Sequence, residues 1–141
     1  MDRIITLLNE KNHYLEKFYS LNETELANFA QGQFDNLEHF YQTREHILGV
    51  LKYVDAQIAK FQDENSEVAV INDIVRREIK EALSIKDEYV MRIIEQDIQV
   101  LSCIELAKNS IIKELQDVRH NRKVVSSYKS KTFNQRLNEE V

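Results

Sequence analysis

A run of apolar side chains between Leu37 and Phe61 limits this chain to helical architectures. Its members follow one another in alternating steps of three and four residues: Leu37, Phe40, Arg44, Ile47, Leu51, Val54, Ile58 and Phe61. This alternation is the a/d pattern of helices that pack against one another, and Arg44 is its single charged member. Tyr41, Leu48 and Ala59 lie beside the run and widen it, as a helix inside a bundle requires. We therefore expect other helices of the chain to cover this one.

The composition contains almost none of the residues that interrupt helices. The 141 residues include no proline and only two glycines, Gly32 and Gly49. With 43% hydrophobic and 30% charged residues, the chain is too apolar for wholesale disorder. Its length suits one domain. The composition thus predicts a single, mostly helical domain.

The first sixty residues predict a helical hairpin. One face of residues 2–30 carries the apolar side chains Ile4, Leu8, Leu15, Phe18, Leu26 and Phe29, interrupted by Asn12 and Asn22. Gly32 suits the left-handed residue that ends a helix, and Asp35 or Asn36 can cap the next one over residues 35–62. Phe34 is placed for a hydrophobic staple. Close approach of two helices would explain Gly49 inside the second helix.

A third helical pattern continues from Glu67 to Arg122. Its first stripe is Val68, Ile71, Val75, Ile79 and Ala82; its second is Val90, Ile94, Ile98, Leu101, Ile104, Ile111, Leu115 and Val118. The stripes meet at residues 84–88, where Ser84 followed by Asp87 or Glu88 can start a new helix. At ~1.5 Å per residue the first two helices are each about 40 Å long, and an unbroken third about 85 Å. An overhang of that length needs a partner or a second copy.

The predicted fold is thus all-α, an elongated antiparallel helical bundle or coiled coil of three long helices. A break of the third helix near 84–88 would make it a four-helix bundle. We expect residues 1–122 to form the bundle and residues 123–141 to form a flexible tail. The tail region is basic, because six Lys or Arg residues and no acidic residue lie between 119 and 138.

Charge and hydropathy exclude several classes of partner. The net charge is −5 despite the basic tail, and an acidic body speaks against a nucleic-acid-binding core. No apolar run approaches the ~20 residues that span a bilayer, and the N-terminus does not resemble a cleavable signal. We expect a cytoplasmic protein without membrane insertion. Cys103 is the only cysteine, so no intramolecular disulfide can form, and its apolar surroundings predict a buried, inert thiol.

Candidate metal chemistry rests on a single pair. Glu10 and His13 share one helical face, but a di-iron bundle needs two Glu-x-x-His pairs and further carboxylates. His39, His46 and His120 are not preceded by Glu at that spacing. We therefore expect no metal, no cofactor and four surface histidines.

Arg44 is the most unusual residue of the second helix. In an all-helical enzyme, an inward arginine of this kind can bind a dicarboxylate, but further inward cations would be required. Arg76, Arg77 and Arg92 fall largely outside the traced stripes. The favoured interpretation is structural: Arg44 reaches solvent or pairs with a carboxylate such as Glu45, Glu38 or one on another helix.

Three stretches resemble the FlgN family of flagellar export chaperones. Gly32-Gln33-Phe34-Asp35 is similar to the family's Gly-acid break after the first helix. Arg44-Glu45-His46-Ile47-Leu48 is similar to its basic-Glu-x-aliphatic-Leu segment. Arg122-Lys123-Val124-Val125-Ser126-Ser127-Tyr128 resembles the basic, aliphatic and tyrosine pattern that closes its last helix. The layout matches over nearly the whole chain, although Asn121 stands where glycine is commoner.

The resemblance implies a non-enzymatic chaperone. Such a protein holds the terminal helices of hook-associated (hook–filament junction) proteins in the cytoplasm and delivers them to the type III export apparatus. The exposed apolar face that this work requires is expected between Val90 and Val118. Its candidate cargo-binding residues are Ile94, Leu101, Ile111 and Leu115. Tyr128 resembles the tyrosine that engages the export-gate protein.

Two other classes of protein stay open at this point. A coiled-coil adaptor or structural protein would share the same surplus apolar surface and could form a homodimer through its long helix. A helical enzyme would need further inward-facing Arg or Lys residues near Arg44, and the traced stripes do not supply them.

Overall fold

A computed structural model describes the backbone of residues 2–65 and 72–140, and the side chains of residues 3–65 and 72–127. It contains three helices: α1 (Asp2–Ala30), α2 (Leu37–Glu64) and α3 (Asp73–Glu140). No strand occurs in these described segments. The predicted all-α architecture of three long helices is confirmed.

Helix α3 is continuous where a break was considered. Its 68 residues run through 84–88 without interruption, so the four-helix alternative is wrong. The physical reason is that no proline or glycine lies between Asp73 and Glu140, and Ser84 alone does not stop a helix. The helix also continues past residue 122, through most of the predicted tail. The flexibility of residues 123–141 stays a prediction.

The chain divides into two compact units, residues 1–101 and 102–141, called unit 1 and unit 2 below. The division lies earlier in the chain than the predicted boundary after residue 122, which stays a prediction. Unit 1 contains α1, α2 and the first part of α3. Unit 2 contains the rest of α3.

The core of unit 1 consists of two apolar clusters that join its three helices. One contains Leu15 and Phe18 of α1, Ile47 and Leu51 of α2, and Ile93 of α3. The other contains Ile4, Leu8 and Ala82, with Ile58, Phe61 and Ile79 packed against them. Early residues of α1 thus meet late residues of α2 and early residues of α3. It follows that α2 runs antiparallel to α1, while α3 runs parallel to α1.

The seam predicted for α2 is confirmed. Phe40, Ile47, Leu51 and Val54 are buried, and the other predicted members are half-buried. The predicted widening is wrong, because Tyr41, Leu48 and Ala59 are exposed. In unit 1 only α1 and α3 can cover α2, so the buried stripe of α2 is narrow. A wider apolar stripe would be buried only if α2 lay at the centre of a larger bundle.

The connection between α1 and α2 has the predicted glycine stop. Gly32 has a φ of 73°, and its N–H donates to the Phe29 carbonyl at 2.9 Å. The Gln33 N–H donates to the Asn28 carbonyl at 2.9 Å, which completes a Schellman motif. Asn36 occupies the N-cap position of α2, but its side chain makes no capping hydrogen bond. The ring of Phe34 stacks on Phe29 of α1, with 4.7 Å between the ring centroids.

The two glycines predict opposite responses to alanine. An added Cβ at Gly49 would meet no atom within 4 Å, so close helix packing does not explain this residue. Gly49→Ala should stabilise unit 1 by about 0.5–1 kcal/mol, because alanine is the better helix former. Gly32→Ala should destabilise it by roughly 1–2 kcal/mol, since the positive φ strains any residue with a Cβ. Urea unfolding of both variants checks this, and equal shifts of the same sign would contradict the assignment.

Candidate functional site

Within unit 1, the first part of α3 packs against α1 and α2 through one narrow face. Its contact residues are Ala82, Tyr89, Ile93, Gln96 and Val100, at steps of seven, four, three and four residues. Val100 is 1% exposed, Gln96 4% and Ala82 4%, so this face is almost fully covered by α1 and α2. The stripes predicted from the sequence do not include this face between Tyr89 and Val100, because the polar Gln96 interrupts its apolar pattern. The spacing of Ala82, Tyr89 and Ile93 was the signal that could have revealed it.

A second face of α3 in unit 1 is apolar and exposed. We call it the α3 apolar face; its members are Leu83, Val90, Ile94, Ile98 and Leu101. Steps of seven, four, four and three place these side chains on one side of the helix, about a third of a turn from the packing face. Ile94 is 55%, Ile98 64% and Leu101 62% exposed. A contiguous set of this kind is typical of an interaction surface, whereas isolated exposed leucines are common on any protein.

Unit 2 exposes the other two predicted cargo-binding residues. Ile111 is 57% exposed and Leu115 52% exposed. All four candidates, Ile94, Leu101, Ile111 and Leu115, are thus open to solvent, two of them in each unit. Tyr128 lies within α3, but its side chain is outside the described residues.

Arg44 lies in a polar layer where the three helices of unit 1 meet. Its Nη2 atom is 3.2 Å from Oδ1 and 3.3 Å from Oδ2 of Asp97 on α3. Its guanidinium also lies over two rings, 5.0 Å from the centroid of Phe18 and 5.6 Å from that of Phe40. Of the partners that the sequence allowed for Arg44, the structure therefore shows a carboxylate on another helix. These contacts hold the guanidinium between a carboxylate and two aromatic rings of the same chain.

Asn22 and Gln96 complete the polar layer. The Asn22 side chain, which is fully buried, donates from Nδ2 to Gln96 Oε1 at 3.1 Å and to Asp97 Oδ1 at 3.4 Å. Gln96 Nε2 donates to the Tyr19 carbonyl at 3.1 Å and to Glu23 Oε1 at 2.9 Å. These bonds join α1 to α3, and Arg44 extends the layer to α2. The arrangement pairs most of the buried polar groups, as a stable interior requires.

Two further buried polar residues lie outside this layer. Asn12 donates from Nδ2 to the Ala82 carbonyl at 2.9 Å, which links α1 and α3 nearer their N-termini. Glu25 is 1% exposed and accepts a hydrogen bond from Asn36 Nδ2 at 3.1 Å. The burial of Glu25 was not predicted, because a glutamate beside an apolar stripe normally faces water. Asn36, predicted as a helix cap, instead ties the start of α2 to this carboxylate.

The residues considered for metal or thiol chemistry do not converge. All four histidines are exposed, as predicted. Among the described residues no group of three or more His, Cys, Asp or Glu side chains is placed to hold a metal ion. Cys103 is a free thiol and is half-buried. The prediction of a fully buried thiol, which rested on its apolar neighbours in sequence, is therefore wrong.

Helices of the described segments are all too polar or too short in their apolar stretches to cross a lipid bilayer. Comparison with protein-family models, with curated proteins and with solved structures found no match to this chain.

The polar layer predicts a measurable coupling between Arg44 and Asp97. Arg44→Leu removes the ion pair and both ring contacts, and should destabilise unit 1 by about 1–2 kcal/mol. The cost stays modest, because the Asp97 side chain is 35% exposed and water can replace part of its lost partner. Asp97→Asn should cost less than this. The double variant should show a coupling free energy of about 1 kcal/mol in urea unfolding. Strict additivity of the two single changes would contradict a structural ion pair.

Proposed function

We propose that this protein is a non-enzymatic, cytoplasmic chaperone of the FlgN type. In this proposal it binds terminal helices of hook-associated proteins, prevents their premature assembly and delivers them to the flagellar type III export apparatus. The α3 apolar face is the single observation that carries the binding part of the proposal. The flagellar part rests on the resemblance of Gly32–Asp35, Arg44–Leu48 and Arg122–Tyr128 to that family.

The α3 apolar face has the properties that a helix-binding surface needs. Its five apolar side chains are spaced to accept the apolar side of a partner helix. The backbone beneath it is fixed, because the adjacent packing face is buried against α1 and α2. Binding therefore does not have to order this part of α3 first, which lowers its entropic cost.

The proposed binding requires no catalytic group. Arg44, which would anchor a substrate in the enzyme alternative, is engaged by Asp97, Phe18 and Phe40. Its contacts favour a structural role. The proposal accordingly assigns no catalytic residue and no cofactor.

Cargo binding should depend on the α3 apolar face. Replacing Ile94 and Leu101 by alanine removes apolar area that cargo would cover, while alanine preserves the helix. Because each side chain is already partly covered, we expect about tenfold to a hundredfold weaker binding to hook-associated proteins. Titration calorimetry with a terminal helical segment of such a cargo measures the change.

Ile74→Ala provides the matched control. Ile74 is 68% exposed and points to roughly the opposite side of α3 from Ile94. This variant should bind cargo as the wild type does, and all variants should keep the wild-type circular dichroism spectrum. Equal loss of binding in Ile74→Ala, or full binding by the Ile94/Leu101 variant, would remove the assignment of the cargo site.

Export-gate docking should depend on Tyr128 and should not depend on the α3 apolar face. Tyr128 lies far along α3 from the α3 apolar face in sequence, so Tyr128→Ala should leave cargo affinity unchanged while it reduces capture by the export-gate protein. One lost aromatic anchor typically weakens an interface by about 2 kcal/mol or more. Tyr53→Ala, at a tyrosine that is 64% exposed on α2, serves as the control. Loss of cargo binding from Tyr128→Ala would show that both partners share one site.

A further inference from the structure

Unit 2 carries a heptad pattern of its own. Its members alternate in steps of four and three residues: Ile104, Lys108, Ile111, Leu115, Val118, Arg122 and Val125. Ile104 is half-buried and all the others are exposed. We call this set the unit 2 seam. Alternating steps sustained over three heptads are typical of a coiled coil, and a helix of this kind gains most of its stability when another helix covers the seam.

We propose that the unit 2 seam binds a second copy of this chain as an antiparallel coiled coil between residues 104 and 122, centred level with Lys113. This inference rests on unit 2 and is independent of the proposed function. It assigns Ile111 and Leu115 to contacts between copies, and it leaves cargo to the α3 apolar face.

The two cations of the seam oppose a parallel pair. In a parallel homodimer equivalent a positions face each other, so Lys108 would meet Lys108 of the partner subunit. Arg122 would repeat the same repulsion two heptads later. In an antiparallel pair each a position faces a d position, and both cations then lie opposite aliphatic side chains. Their long stems can cover apolar surface while their charges reach solvent.

Charges beside the seam select one antiparallel register. When Ile111 packs against Leu115 of the partner subunit, Ile112 meets its own copy near the two-fold axis. Glu105 then flanks Arg119 of the partner subunit, and symmetry repeats this opposite-charge pair. Lys108 lies opposite Val118 of the partner subunit, within reach of Glu114 of the partner subunit. The two Lys108–Glu114 contacts offset the approach of the two Glu114 side chains near the axis.

The subunit number of the full chain is the first test. Sedimentation equilibrium should show a dimer for the wild type and a monomer for Leu115→Asp, because a carboxylate in the seam cannot be covered by apolar residues. Leu106→Asp is the matched control. Leu106 is 69% exposed on the opposite side of the helix, so this variant should remain dimeric. A monomeric wild type, or a dimer that survives Leu115→Asp, would overturn the proposal.

A series of charge-reversal variants then tests whether the two helices run antiparallel or parallel. Arg119→Glu should weaken self-association about tenfold, since two attractive pairs become repulsive. Adding Glu105→Arg should restore it, because the exchanged charges face each other again. Adding Glu114→Arg instead should not. In a parallel dimer Glu114 and Arg119 are the facing pair, so rescue by Glu114→Arg rather than Glu105→Arg would overturn the antiparallel arrangement.

Cargo titrations separate this inference from the proposed function. Leu115→Asp should be monomeric and keep full cargo affinity, while Ile94→Ala with Leu101→Ala should remain dimeric. If Leu115→Asp loses cargo binding and leaves the subunit number unchanged, the seam belongs to another protein's helix and the proposal of a second copy fails. If the dimer behaves as expected but neither variant affects cargo, the proposed function fails alone.

Discussion

The hydrogen bond between Asn22 of α1 and Gln96 of α3 is the constraint on which unit 1 depends. Apolar seams alone allow helices to slide by one heptad, because one leucine packs much as the next does. A buried amide does not allow this, since each shifted register would leave Asn22 or Gln96 among apolar side chains without a partner. The observed register satisfies Gln96 completely, with Tyr19, Glu23 and Asn22 as partners. Arg44 and Asp97 add α2 to the same layer.

This register also decides which side of α3 is left open. With Gln96 turned toward α1, its neighbours Ile93 and Val100 face the core, and Ile94, Ile98 and Leu101 face solvent. A rotation of α3 by more than a third of a turn would bury those three side chains instead. That alternative is costly, because it would expose Val100 and detach Asp97 from Arg44. The exposed apolar face is therefore a consequence of the polar layer, and it is not the result of a weak or loosely packed helix.

Much of this arrangement was predictable from the sequence, and the failures have identifiable causes. The seam of α2, the glycine stop at Gly32 and the three helices followed from local periodicity and backbone chemistry, which need no knowledge of partners. The packing face of α3 did not, because two apolar stripes compete on one helix and only tertiary contacts decide between them. All four candidate binding residues are exposed, and their role in binding stays a prediction. Burial of Glu25 had no sequence signal, since it depends on a hydrogen bond from Asn36 across the interhelical connection.

The polar layer and the α3 apolar face have separate physical roles. Asn22, Gln96 and Arg44 replace apolar groups at core positions, where hydrogen bonding limits the helices to one arrangement. Ile94, Ile98 and Leu101 occupy surface positions, where polar side chains would leave the packing face unchanged and would improve solubility. Folding of unit 1 therefore supplies no reason for these three residues. A surface that contributes little to stability, yet stays apolar along one side of a rigid helix, is what the proposed contact with another protein would require. Because the two roles use different faces of α3, changes at the surface residues can alter binding without altering the fold.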